Sequence, residues 1–89
     1  MRYQLFYTEK SLDDISRLPK KIGIRIFDKL AWYRDNDPLH FAKKLTNFEN
    51  GMYRWRVGDY RIVFDIDEKG SICILMILAV KHRKDVYDA

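Results

Sequence analysis

The segment GMYRWRVGDYRIVFDI, residues 51–66, restricts the fold of this 89-residue chain more than any other. Large apolar residues alternate with polar ones on either side of Gly58-Asp59. A glycine–aspartate pair suits the two-residue loop of an antiparallel hairpin. That loop sets Val57 against Tyr60, Arg56 against Arg61, Trp55 against Ile62 and Arg54 against Val63. Successive strand residues point to opposite faces, so Tyr53, Trp55, Val57, Tyr60, Ile62 and Phe64 share one face. Arg54, Arg56 and Arg61 share the other, with Met52, Val63 and Asp65. The aromatic face has to be the core side, which leaves the arginines open to water or to a ligand. Like charges directly opposite one another weaken a sheet. At about 5 Å two unit charges repel by roughly 0.8 kcal/mol in water and by ~3 kcal/mol at an effective dielectric near 20. Either water solvates this face, with Asp59 or Asp65 offsetting part of the charge, or the three guanidinium groups form a phosphate site. Guanidinium forks grip phosphate oxygens in pairs and stay charged at any working pH.

The rest of the chain supplies what the hairpin packs with. Tyr3, Leu5 and Tyr7 alternate within Arg2 to Tyr7 and predict a first strand. Thr8 can cap a helix whose buried side is marked by Leu12, Ile15 and Leu18. Pro19 ends or bends that helix. A second helix is predicted from Lys20 to Arg34, with Ile22, Ile26, Leu30 and Tyr33 as its apolar stripe and Phe27 beside it. DNDP, residues 35–38, stops it. FAKKL, residues 41–45, reads equally as a helical turn or an extended passage. Asn50-Gly51 and DEKG, residues 67–70, are turn signals. Ile72 to Val80 is apolar throughout, as in a central strand covered on both faces. The order β-α-α-β-β-β predicts one α+β domain over residues 1–89, a helix hairpin packed on a mainly antiparallel four-stranded sheet.

Length and composition bound the function. A chain this short forms one domain and buries only about 60–65% of its unfolded surface, so a partner that covers apolar surface would help it. The single cysteine, Cys73, excludes an intrachain disulfide and fits a reducing compartment. MRYQLFYTEK lacks the apolar run of a signal peptide, and residues 72–80 fall far short of the ~20 needed to span a bilayer. A cytoplasmic protein with no membrane partner is expected. The net charge of +4 favours an acidic partner, either nucleic acid or protein. Residues 1–50 carry 10 Lys/Arg against 7 Asp/Glu, and residues 51–89 carry 7 against 6. The charge is not polarised along the chain, so any basic patch has to be assembled by folding.

The end of the chain adds to the arginine face. Lys81, His82, Arg83, Lys84 and Tyr87 fall within seven residues of the last strand. An aromatic among such charges can stack on an unpaired base. Cations, one imidazole and one phenol suit RNA cleavage by attack of the 2′-hydroxyl on the adjacent phosphorus. That reaction needs in-line positioning, two proton transfers and donors aimed at developing negative charge. His82 is the conventional proton carrier, with Tyr87 or Lys81 as alternatives. Lys43 and Lys44 either extend an RNA track or are solvated charges. No HxH, HExxH or CxxC spacing points to a metal, and no Gly-rich phosphate loop is present. His40 reads as a surface residue, Cys73 as core, and Trp32 and Trp55 as core or core-edge.

YRWRVGDYRIVFDID followed by ILAVKHRKDVYDA resembles the RelE branch of the RelE/ParE toxin superfamily, and YTEKSLDDISRLPKKIGIRIFDKL is similar to its opening helix pair. The resemblance spans essentially the whole chain. It implies a RelE-like, microbial-RNase-like fold and the toxin of a type II toxin–antitoxin pair. It also implies metal-independent mRNA cleavage in the ribosomal A site, with contacts to the ribosome and its 16S RNA, and a short acidic RelB-like antitoxin as partner. Its catalytic positions fall on Arg54, Arg56, Arg61, Lys81 or Arg83, and Tyr87; Lys43, Lys44 and Lys84, read from the residues rather than from the resemblance, are the candidate RNA-binding positions beside them. Arg61 would meet the scissile phosphate, Arg54 and Arg56 would position or stabilise it, and Tyr87 would stack on the nucleotide. In the best-known member the first two positions are lysines. Arginines are poor general bases, so His82 is expected to take more of the proton transfer here. The same fold also implies two other roles: a ParE-like inhibitor of DNA gyrase, or a non-catalytic antitoxin-binding module.

Overall fold

A computed structural model describes residues 2–45 and 52–84. Strand β1 (Arg2–Tyr7) leads into helices α1 (Glu9–Ser16) and α2 (Lys20–Asp35). The strands β2 (Lys43–Lys44), β3 (Tyr53–Val57), β4 (Tyr60–Lys69) and β5 (Ile72–His82) follow. They form one sheet in the order β1-β5-β4-β3-β2. β1 pairs with β5 in parallel and the other neighbours are antiparallel.

The α+β architecture agrees with the sequence reading, with one added strand. The predicted sheet had four strands; the fifth is the Lys43–Lys44 pair, which lies against Tyr53 and Arg54. FAKKL is therefore extended where it meets β3. A second difference is the DEKG turn. Asp67, Glu68 and Lys69 stay in the β4–β5 ladder, and the chain reverses at Gly70-Ser71. Exposed charged side chains do not interrupt backbone pairing, and Gly70 takes φ +61°, a conformation that costs a glycine little. Asn50-Gly51 lies outside the described residues.

Thr8 joins the first strand to the helices. Its Oγ1 accepts from the Ser11 backbone N–H at 3.2 Å, capping α1, and donates to the Ile77 carbonyl at 2.9 Å on β5. The buried side of α1 differs from the expectation. Leu12 is 45% exposed, whereas Ser11 and Ile15 face the core. Ser11 can be buried because its hydroxyl donates to the Thr8 carbonyl at 2.8 Å. Gly23 lets the two helices approach closely, since a Cβ there would meet Ile15 Cγ2 at 3.3 Å. The core lies between the helices and one sheet face. Ile15, Ile26, Leu30 and Tyr33 pack against Trp55, Val57, Ile62, Phe64, Leu75, Ile77 and Val80. Cys73 is buried beside them.

Candidate functional site

The β3–β4 hairpin has the register read from the sequence: Val57↔Tyr60, Arg56↔Arg61, Trp55↔Ile62 and Arg54↔Val63. Gly58 takes φ +58° in the turn. Trp55, Val57, Ile62 and Phe64 are buried under the helices, so Arg54, Arg56 and Arg61 lie on the face that the helices leave open. On β5, Lys81 stands beside Arg61. Arg56, Arg61 and Lys81 thus form one row across three adjacent strands. Lys43 pairs with Arg54 and adds a cation to the next row, whereas Lys44 pairs with Tyr53 and belongs to the other side.

An irregularity in β5 brings Lys81 into that row. Val63 pairs with Ala79 but Phe64 pairs with Ile77, which leaves Leu78 as an extra residue. Such a bulge shifts the alternation by one. Ile77 and Val80 both face the core, so Lys81 faces the arginines and His82 pairs with Tyr60 on the helix side. Unbroken alternation from Ile77 would have reversed the two. The His82 ring stands edge-on to Tyr60, with centroids 5.1 Å apart, and its Nδ1 accepts from the Lys84 N–H at 3.2 Å. The sheet separates this imidazole from the Arg56–Arg61–Lys81 row.

Several contacts hold the row in place. Arg56 Nε donates to the Gly58 carbonyl at 3.1 Å, which draws the guanidinium toward the turn. Behind the same residue, the Tyr33 hydroxyl of α2 donates to the Arg56 carbonyl at 2.7 Å. The Tyr33 ring lies parallel to Trp55 at 5.0 Å, and Trp55 Nε1 donates to the Pro38 carbonyl at 2.8 Å. Burial pushes the Tyr33 phenol above its ordinary pKa, so it remains a protonated donor. On β5, Asp14 of α1 accepts from the Val80 N–H at 2.9 Å, one residue before Lys81. The Arg83 N–H donates to the Asp59 carbonyl at 2.7 Å, and its guanidinium lies 3.7 Å from the Asp59 carboxylate. Arg56, Asp59, Tyr60, Arg61 and Arg83 line a cleft of about 130 Å³.

The structure therefore brings Arg54, Arg56, Arg61, Lys81 and Lys43 onto one face, with Arg83 at the hairpin tip. It sets His82 and Lys44 apart. Lys84 is exposed just beyond Arg83, and Tyr87 lies outside the described residues. His40 is exposed, with its ring edge-on to Phe41 at 5.0 Å. Sequence reasoning missed the contacts of Tyr33 and Asp14, whose side chains meet backbone atoms of β3 and β5; Asp59, which it offered as a counter-charge to the arginines, lies against Arg83. No local spacing signals such contacts.

A mainly antiparallel sheet under two helices, with a transverse row of cations on its free face, defines a small basic α+β protein. The family model described as the ParE toxin of the parDE type II toxin–antitoxin system matches residues 5–87. Toxin RelG of Mycobacterium tuberculosis is 29% identical over 87 residues, 98% of either chain. Toxin RelE of the same organism is 33% identical over 66 residues, 74% of this chain and 68% of its own. Among solved structures, the toxin–antitoxin complex RelBE2 from Mycobacterium tuberculosis matches with a TM-score of 0.67 at 25% identity, covering 93% of this chain and 100% of that one. The RelB–RelE complex from Methanococcus jannaschii matches with a TM-score of 0.62 at 29% identity, covering 93% and 95%. This chain belongs to the RelE/ParE superfamily of type II toxin–antitoxin toxins, on its RelE branch.

Proposed function

We propose that this toxin cuts mRNA in the ribosomal A site and so stops translation. The observation that carries the reading is the transverse row Arg56–Arg61–Lys81, flanked by Arg54 and closed by Arg83 at the hairpin tip. A phosphate set on this row meets charged donors from three strands. The 2′-oxygen attacks phosphorus, the 2′-O–P bond forms, and the P–O5′ bond breaks. The products are a 2′,3′-cyclic phosphate and a 5′-hydroxyl. One proton leaves the 2′-hydroxyl and another reaches the departing 5′-oxygen. Arg61, at the centre of the row, stabilises the phosphorane charge, and Arg54 and Arg56 orient the phosphate. Lys81, beside Arg61, is placed to exchange a proton. His82 faces away, so its assignment as principal proton carrier loses its geometric support. Tyr87 is assigned to stacking on the resemblance alone.

Primer extension on mRNA translated in vitro tests the reading. Wild-type protein should give cuts at A-site codons. Arg61→Ala should lower cutting by ~10²–10³-fold, as loss of a transition-state donor does. Intact mRNA together with impaired gyrase supercoiling would transfer the protein to the ParE-like activity, which the family description keeps in view. Intact mRNA with no effect on gyrase would leave a binding module.

The partner in this reading is an acidic antitoxin. Relatives of this fold are found in complexes of RelB with RelE. On α2, Ile24 and Trp32 are exposed at 51% and 42%. They share a shallow groove with Lys21, Arg25, Asp28 and Lys29. Lys29 Nζ lies 4.1 Å from the Trp32 ring centroid. An apolar strip rimmed by three cations and one acid suits an amphipathic acidic segment.

A further inference from the structure

We infer that Asp14 is a positioning residue for the cut: with Thr8 it fixes the phase of β5 at the Leu78 bulge, and so sets Lys81 and not His82 beside Arg61. What Lys81 then does rests on the RNA-cleaving reading. β1 pairs with β5 only as far as Tyr7↔Ile77. Beyond that pair, the start of α1 meets β5 where β1 has stopped. The Thr8 N–H donates to the Ile77 carbonyl at 3.1 Å. The Thr8 hydroxyl lies 2.9 Å from the same carbonyl and 3.3 Å from that of Leu78. One turn and a half along the helix, Asp14 Oδ2 accepts from the Val80 N–H at 2.9 Å. The bulge residue is thus bracketed by polar contacts from α1. Lys10 Nζ lies 2.9 Å from Asp14 Oδ2 and 3.2 Å from Oδ1, and holds the carboxylate from the water side.

Side chains alone do not choose this phase. Without the bulge, Ile62 would pair with Ala79, Arg61 with Val80 and Tyr60 with Lys81. Leu78, Ala79 and Val80 are all apolar, so neither phase buries a polar side chain among them, and hydrophobic burial discriminates weakly. The backbone does discriminate. The Ile77 carbonyl faces the β1 side, where it accepts from Thr8. In an unbroken strand, N–H groups at odd separations face opposite edges, so the Val80 N–H would face β4. The bulge turns it to α1 instead. Asp14 therefore bonds to the bulged phase and not to the other, and a contact shifts an equilibrium only by such a difference. Val80 is 8% exposed, so an N–H turned to α1 and left without an acceptor is costly. A carboxylate is the stronger kind of acceptor for it.

Single-turnover cutting on a programmed ribosome tests the assignment, with folding verified by circular dichroism. Asp14→Ala should lower the maximal rate by at least ~10-fold, toward the loss expected when a general acid or base is removed. The half-saturating ribosome concentration should stay within about threefold of wild type. Asp14→Asn keeps an oxygen acceptor and should hold the rate within about threefold. An equal loss in both folded variants, or no loss in Asp14→Ala, would overturn the inference. Deletion of Leu78 separates phase from stability, because unbroken alternation then sets Lys81 beside Arg61 without any clamp. In the Leu78-deleted chain, Asp14→Ala should fold and cut within about threefold of its parent, even if it does not fold in the intact chain. A loss there of ~10-fold or more, or failure of the parent or the double variant to fold, would count against the clamp. Backbone NOEs between β4 and β5 read the phase without any cleavage. They should join Arg61 to Lys81 in wild type and Asp14→Asn, and Arg61 to Val80 in folded Asp14→Ala. An Arg61–Lys81 contact that persists in folded Asp14→Ala refutes the assignment. The expected NOEs with no mRNA cutting by wild type would uphold the clamp and remove the cleavage reading instead.

Discussion

Tyr33 is a core residue whose hydroxyl serves the site from behind. It is 7% exposed, yet its hydroxyl reaches the backbone of Arg56 at 2.7 Å. Tyr33→Phe keeps the ring and its stacking on Trp55 but removes that donor. The expected loss is roughly 1–2 kcal/mol, the range for a partly buried hydrogen bond with its acceptor left behind, read from urea unfolding at pH 7. The same residue sets an alkaline limit. Burial raises the Tyr33 and Tyr7 phenols above the ordinary phenol pKa of about 10, with the Arg34 charge opposing part of the rise at Tyr7. A folded-state pKa above the unfolded one means that the stabilisation is complete below the unfolded pKa. It fades as pH rises from about 10 through the folded value. Tyr33→Phe should therefore flatten the fall in stability above about pH 10. An identical alkaline slope in wild type and variant would show that the phenol does not contribute to it. That Tyr33 is buried was legible from the period of α2. That its hydroxyl meets Arg56 was not, because the two lie 23 residues apart and the contact is to a backbone atom.

Among the elements, β5 decides which titratable group faces the arginine row. The bulge at Leu78 places Lys81 with Arg61 and His82 with Tyr60. Lys81→Ala should lower mRNA cutting by ~10²-fold or more, the range for a general acid or base, whereas His82→Ala should change it by less than about threefold. Single-turnover cutting on a programmed ribosome measures both. A loss in His82→Ala as large as in Lys81→Ala would return the imidazole to the mechanism. Most of the hairpin was readable, since Gly58-Asp59 fixed its register and the alternating residues fixed its faces. In β5 the same logic had nothing to act on. Ile72 to Val80 is apolar at every position, so a bulge can shift the phase without exposing a mismatched side chain. The short β2 strand was hidden for a related reason: two lysines carry no alternation from which an extended segment can be recognised.

For the whole molecule, the arrangement separates two surfaces. The helices cover one face of the sheet, so the arginine row lies on one side of the protein and the outer groove of α2 on the other. An antitoxin segment seated on Ile24, Lys29 and Trp32 alone would leave Arg56 and Arg61 uncovered. It could then neutralise the toxin only by continuing around to the open face or by making the complex too bulky for the A site. On the proposed reading, holding the antitoxin and cutting RNA draw on different residues and should be separable by mutation. Ile24→Asp with Lys29→Glu places two acids in a groove suited to an acidic partner, where close like charges cost several kcal/mol. Antitoxin affinity measured by calorimetry should fall at least ~100-fold, since each ~1.4 kcal/mol is tenfold. Cutting of mRNA by the isolated variant should stay within about threefold of wild type, because the cations that meet the reacting phosphate are untouched. Arg61→Ala should do the reverse, losing cutting while keeping the antitoxin within about tenfold, as truncating one residue at the rim of an interface does. Cells producing the double variant with antitoxin should stop growing, and cells producing Arg61→Ala alone should grow. If the double variant still binds antitoxin as wild type does, the outer groove of α2 is not the docking surface, and the arginine face has to supply both functions.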